Sequence, residues 1–142
     1  MLSEIGSNFW ISPNELSLQF SEITPEKFNC KGSDYVWMST GRGATSFVLD
    51  TIERRNFKVS KVALLPPFTC NTVIEPFLAK GYEVKTFHTG KDLRSKGADI
   101  VSAARECNAG VVLFHRYFGV DSIADIDEAV NELRNAGIIV IE

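Results

Sequence analysis

The residues of this 142-residue chain best suited to bind or react fall in four short stretches, each following an apolar run. The first is Ser39-Thr40-Gly41-Arg42-Gly43-Ala44-Thr45-Ser46, between a strand-like run (Tyr35, Val36, Trp37) and a helix-like run (Phe47, Val48, Ile52). Two glycines flank an arginine where a helix exposes its first N–H groups, so unpaired donors and the helix dipole both favour an anion there. The same residues also make an ordinary glycine turn with Ser/Thr capping, and Gly-x-Gly alone does not choose between the two. The other stretches are Pro66-Pro67-Phe68-Thr69-Cys70-Asn71, His88-Thr89-Gly90 and His115-Arg116-Tyr117-Phe118-Gly119.

Each of these residues has a plain structural reading beside a functional one. His115 either touches a ligand or packs at a strand end. Arg116 either neutralises a phosphate or carboxylate or is a solvated arginine. Cys70 reads as a small buried residue, since no neighbour in sequence clearly lowers its pKa. Ser-His-Asp order, a metal-ligand cluster and a Walker-type Gly-Lys-Ser/Thr are all absent from the sequence. The Rossmann Gly-x-Gly-x-x-Gly also fails, because position 46 is Ser46 and His88 stands where the acidic residue belongs.

The elements that must position these stretches follow from hydrophobic periodicity. Asp34 to Met38 reads as a strand, and residues 43–55 as a helix with Ala44, Phe47, Val48 and Ile52 on one face. Asp50 and Arg54 are spaced to pair on its solvent side, and Asn56 is a plausible stop. Val62 to Leu65 is a continuous apolar run ended by Pro66-Pro67. Thr69 to Lys80 is helix-like, with Pro76 implying a kink or a late start and Gly81 as the stop. Tyr82 to Phe87, Gly110 to Phe114 and Ile138 to Ile141 read as further strands. Gly97 to Cys107 is a helix, and a second follows Asp125, an expected N-cap with Glu128 as capping-box partner. Gly137 ends that helix.

Short apolar runs recurring at roughly 20–28-residue intervals between one-faced helices indicate βαβ units. The expected fold class is therefore α/β, with three layers: a mostly parallel sheet carrying helices on both faces. Residues 1–33 lack this pattern and are expected to be an N-terminal arm, with Leu16 to Phe20 as one short alternating strand. In an open parallel sheet ligands bind beyond the carboxyl ends of the strands, where the four stretches would lie.

Composition narrows the classes further. The chain is 44% hydrophobic and 23% charged with a net charge of −3. Its Lys and Arg residues are scattered, so no basic face recommends nucleic acid as a partner. No apolar run approaches the roughly 18 residues of a membrane span. The start, Met-Leu-Ser-Glu-Ile-Gly, lacks the basic and apolar regions of a secretory signal. Three well-separated cysteines argue against a disulfide framework or a zinc site, so a cytoplasmic, reduced protein is expected. Ile138 to Glu142 reads as the end of a buried strand, where domains seldom stop, and suggests part of a longer protein.

In order and spacing, four segments resemble the N-terminal part of the DegT/DnrJ/StrS-type sugar aminotransferases, which are fold-type-I pyridoxal-phosphate (PLP) enzymes. Ser39 to Ala44 is similar to that family's small-residue turn opening the phosphate-binding helix. Leu65 to Thr72 resembles its Pro-x-(aromatic)-Thr segment, followed here by Gly81 to Val84. Val112 to Gly119 is similar to its strand ending in His, an aromatic residue and Gly. Gly137 to Glu142 resembles the strand leading to its Glu-Asp pair. Together the segments span roughly residues 35–142.

The resemblance implies PLP as cofactor, with Gly41, Arg42, Gly43, Cys70 and His115 as cofactor-binding positions. Arg42 and Gly43 would offer backbone N–H groups to the cofactor phosphate. Cys70 falls where many members place an aromatic ring, so the stacking contact departs from the pattern. The family's Asp, which keeps the pyridine nitrogen protonated, would follow Glu142. Its cofactor-bonding lysine lies further downstream, whereas the eight lysines here, Lys27 to Lys96, precede that point and match no motif. The expectation is therefore the N-terminal part of an aminotransferase-like protein acting on a keto-sugar nucleotide with an amino acid as donor. It would be a homodimer when whole, with no catalytic residue in this chain. The alternatives are a non-catalytic βαβ module binding a phosphorylated ligand, or a degenerate relative. The fold comparison also implies four adjacent strands with the 34–38 strand left without its neighbour, and hence poor stability or association of the chain alone.

Overall fold

The computed structural model describes residues 36, 38–116 and 121–142. The expected arm at 1–33 lies outside the described residues, as does most of the 34–38 strand; Val36 and Met38 are described and neither is in a strand. From Thr40 onward the chain alternates helix and strand. The elements are α1 (Gly41–Arg54), β1 (Val62–Leu65), α2 (Asn71–Ala79), β2 (Glu83–Thr86), β3 (Ser95–Lys96), α3 (Gly97–Glu106), β4 (Val111–Leu113), β5 (Ile123–Ala124), α4 (Ile126–Asn135) and β6 (Ile139–Ile141).

The four longer strands form one parallel sheet in the order β2-β1-β4-β6, so the four runs read from the sequence are neighbours. Ala63 pairs with Val84 on one side and Val111 on the other, and Val112 pairs with Val140. The α/β class stands. β3 and β5 form a separate two-stranded parallel ladder, too short to leave a periodic signal in the sequence.

Strand residues alternate between two apolar clusters, which is why β1 and β4 read as unbroken apolar runs. Ala63, Leu65, Val111 and Leu113 pack with Leu49 and Ile52 of α1 and Phe77 of α2. Leu64 and Val112 pack with Ile100 and Ala104 of α3 and Ala129 and Leu133 of α4. Phe77, Ile100, Val111, Val112 and Leu133 are fully buried.

Among the described residues, all four helices end the same way, in a left-handed residue that reverses the chain toward the next strand. The residues are Asn56 (φ 54°), Gly81 (φ 73°), Asn108 (φ 52°) and Gly137 (φ 75°). At α2, the Gly81 N–H donates to Leu78 O at 3.0 Å and the Tyr82 N–H to Phe77 O at 3.0 Å. At α4, Gly137 donates to Arg134 O at 2.9 Å and Ile138 to Leu133 O at 3.0 Å. This pair of hydrogen bonds satisfies orphan carbonyls of the last turn, and glycine and asparagine tolerate the conformation best. Its apolar contact recurs too: the rings of Phe77 and Tyr82 meet edge to face at 5.8 Å.

Three local expectations are corrected. Asp125 does precede α4, but in a left-handed conformation (φ 55°, ψ 41°) and with no side-chain cap bond, so there is no capping box. A capping side chain reaches the first-turn N–H groups from an extended backbone, which Asp125 lacks. Asp50 pairs with Lys80 of the α2 end rather than with Arg54, because α1 and α2 pack together and bring the cation closer. Helix α2 starts two residues later than expected and continues through Pro76.

Candidate functional site

Thr40 makes the start of α1. Its backbone is extended (φ −148°, ψ 152°), its carbonyl accepts from the Ala44 N–H at 3.0 Å, and its Oγ1 accepts from the Gly43 N–H at 3.0 Å. This is an N-cap bond, and it occupies one of the donors expected to face an anion. The turn is therefore both a capped helix start and the positive end of a 14-residue helix, not one or the other.

That helix end borders a cavity of about 320 Å³ at the carboxyl ends of β4 and β6. Gly41 and Thr45 enter it from α1, Leu113 and His115 from the end of β4, and Ile141 and Glu142 from the end of β6. Val48 and Val73 complete a largely apolar wall. The β4 and β6 ends are held in register by the Phe114 N–H, which donates to Ile141 O at 2.8 Å. The His115 carbonyl accepts from Ser122 Oγ at 3.3 Å. Arg116 Nε donates to Glu142 Oε1 at 2.7 Å, and its NH1 lies 3.6 Å from Asp121.

Of the five residues singled out in the sequence, the fold brings Gly41 and His115 to this cavity. Gly43 stands one turn-position behind, its N–H given to Thr40. The side chain of Arg42 is not in the wall; its NH1 donates to Glu75 Oε2 at 2.9 Å on α2. Cys70, expected to be buried, is instead exposed at the N-cap of α2, where the chain turns into the helix, and it also lies outside the wall. The Thr72 hydroxyl donates to its sulfur at 3.2 Å, which with the Thr72 backbone holds the thiol below its usual pKa. Desolvation and Glu75 oppose that shift, and Arg42 adds to it. The sequence offers no neighbour that clearly lowers the Cys70 pKa, and the fold corrects this by supplying the Thr72 hydroxyl. Thr72 is only two residues away, but only the extended-then-helical backbone turns its hydroxyl back.

The two histidines part company. His88 lines a different cavity, of about 480 Å³, with Arg94, Lys96 and Asp99 near the start of α3. Glu142, Thr45 and the valines were not singled out as site residues. Glu142 was legible only as the end of a strand, and the valines carry the same apolar signal as any core position.

The cavity combines the positive end of α1 with mostly apolar walls and with Glu142, whose side chain is ion-paired to Arg116. It has no amine: among the described residues, no lysine lines it. Lys61 and Lys80 are tied to Glu53 and Lys85 to Glu83, while Lys58 borders a third cavity beside Ser60 and Gly110. Among the described residues no cluster of His, Cys, Asp or Glu could hold a metal, and no helix is long and apolar enough to cross a membrane.

Compared with known proteins, the chain matches no family model, no curated protein and no solved structure.

Proposed function

We propose that the chain is the N-terminal part of a PLP-dependent aminotransferase-like protein of the DegT/DnrJ/StrS kind, and that its own contribution is the seat for the cofactor phosphate. The observation that carries this reading is the convergence of the first turn of α1 with the carboxyl ends of β4 and β6 on one cavity. A volume of about 320 Å³ with mostly apolar walls falls in the usual range for small-ligand sites. Helix-terminal donors suit a phosphate there. The two apolar clusters on alternate strand residues support the three-layer arrangement.

The residues fit the group at its phosphate end. Gly41 and Arg42 would offer backbone N–H groups, with Gly43 joining if the Thr40 hydroxyl gives way. Thr45, whose hydroxyl donates to Gly41 O at 3.1 Å, stiffens that turn. Val48, Val73 and Ile141 would exclude water from the rest of the group, with His115 lining the cavity at the end of β4. When bound, PLP supplies an electron sink for charge developing at a substrate carbon. The intact protein would move an amino group from an amino acid to a keto-sugar nucleotide, as a cytoplasmic homodimer. This chain would be inactive alone, since among the described residues no amine lines the cavity.

That same lack of a lysine favours a second reading, a non-catalytic module or degenerate relative that holds a phosphorylated ligand. The first test is common to both. Pyridoxamine 5′-phosphate, which has no aldehyde to react with surface lysines, is titrated into the ¹⁵N-labelled chain beside pyridoxamine. Saturable shifts at Gly41, Ala44 and His115, with the phosphate form bound at least tenfold tighter, are expected. Equal affinities, or shifts confined to other residues, would overturn the phosphate seat. Transfer of an amino group by the isolated chain would overturn its inactivity.

A further inference from the structure

Glu142 poses an electrostatic problem for the cavity. Glu142 lines the same space as the first turn of α1, the end suited to an anion. A cavity of about 320 Å³ is roughly 8–9 Å across if spherical, so an anion at α1 would lie within a Debye length of that charge. Left uncompensated, the carboxylate would repel the ligand that the helix end attracts.

Arg116 lies where it can cancel the charge. Its Nε donates to Glu142 Oε1 at 2.7 Å, a charge-assisted bond from the residue directly after His115. Its only other ionic neighbour among the described residues is Asp121, at 3.6 Å and 92% exposed, where solvent screens it. Arg116 itself does not line the cavity. It acts through Glu142, whose side-chain charge it offsets.

We infer that Arg116 is a positioning residue whose charge neutralises Glu142 and so opens the cavity to an anionic ligand. The inference rests on the phosphate-seat reading and adds to it the condition that makes the seat usable. It also separates two roles that an arginine beside an anion site can have. A guanidinium that grips the anion directly is lost on substitution whatever Glu142 carries. A neutralising one becomes dispensable once Glu142 carries no charge.

The test is a charge cycle read by pyridoxamine 5′-phosphate binding in low salt, with pyridoxamine as the non-anionic control. R116Q is expected to weaken the phosphate form roughly tenfold, and to weaken pyridoxamine much less. The R116Q/E142Q double variant recovers wild-type affinity to within about threefold, and E142Q alone binds the phosphate form tighter. R116K, which keeps the charge, stays close to wild type. At about 0.5 M salt the R116Q defect shrinks severalfold, because screening removes the repulsion it exposes. The side chains of Arg116 and Glu142 are both about half exposed, so folding of the variants is checked by circular dichroism, with E142Q alone as the second route. A double variant as weak as R116Q, or an R116Q defect unchanged by salt, would overturn the neutralising role while leaving the seat intact. Failure of the wild-type chain to prefer the phosphate form would overturn both readings together.

Discussion

The bond between Thr40 and Gly43 ties the stability of α1 to the availability of a first-turn N–H group, so one substitution should move helix stability and the proposed phosphate binding in opposite directions. Thr40→Ala removes the hydroxyl that accepts from the Gly43 N–H at 3.0 Å and leaves the Thr40 carbonyl bond to Ala44 in place. Loss of an N-cap of this kind costs about 1 kcal/mol, within a range of about 0.5–2. For a domain of this size that is a fall in Tm of about 3 °C. The Gly43 N–H then has no protein acceptor in the free chain. If a phosphate at α1 uses that donor, the wild-type chain must break the cap bond to bind, and the variant need not. About 1 kcal/mol returned on binding is a gain of about fivefold in affinity. Thr40→Ser, which keeps an acceptor, should change neither quantity by more than a small fraction of this. The assay is paired: thermal unfolding by circular dichroism without ligand, and calorimetric titration with pyridoxamine 5′-phosphate. A variant that is destabilised but binds no tighter would refute the use of Gly43 as a phosphate donor. One that binds weaker would put the hydroxyl itself among the ligand contacts.

Other consequences can be measured separately. Glu53 is held below its ordinary pKa of 4.5 by bonds from Lys61 and then Lys80. A depressed carboxylate contributes stability above its unfolded pKa and loses it as pH falls through the folded value. The urea midpoint should therefore drop more steeply below about pH 4.5 in the wild type than in Glu53→Gln, and parallel curves would exclude this contribution. Cys70 should alkylate faster than the half-buried Cys107 at pH 7.5 by site-resolved mass spectrometry, since the Thr72 hydroxyl favours its thiolate. Thr72→Val should slow it, and an unchanged rate would mean exposure alone governs reactivity. Phe77→Ala should cost about 3–5 kcal/mol in denaturant unfolding, for a fully buried ring that also meets Tyr82. Phe68→Ala, at 63% exposure, should stay within about 0.5 kcal/mol.

Much of the frame was legible because it depends on local rules. Val62 to Leu65 and Gly110 to Phe114 are unbroken apolar runs since both faces of β1 and β4 are covered. Gly81 and Gly137 mark helix ends because few other residues take positive φ without strain. Asp125 misled for the opposite reason: its side-chain type suits a cap, but capping depends on a backbone conformation that the β5 connection overrides.

Sequence by itself determined the α/β class, the order of helix and strand, and the glycine turn at Thr40 to Gly43 as the start of a helix. Those follow from periodicity and from residue-specific backbone limits. Only the tertiary structure decided which strand-end residues meet. It brought Gly41, His115 and Glu142 to one cavity, sent Arg42 to Glu75, kept Cys70 outside and separated His88 from His115. Partners 26 or 33 positions apart, such as Arg116 with Glu142 or Arg42 with Glu75, are fixed by strand order and helix packing. Neither is encoded in any local spacing, and the capped start of α1 gains its neighbours only when β4 and β6 pair beside it.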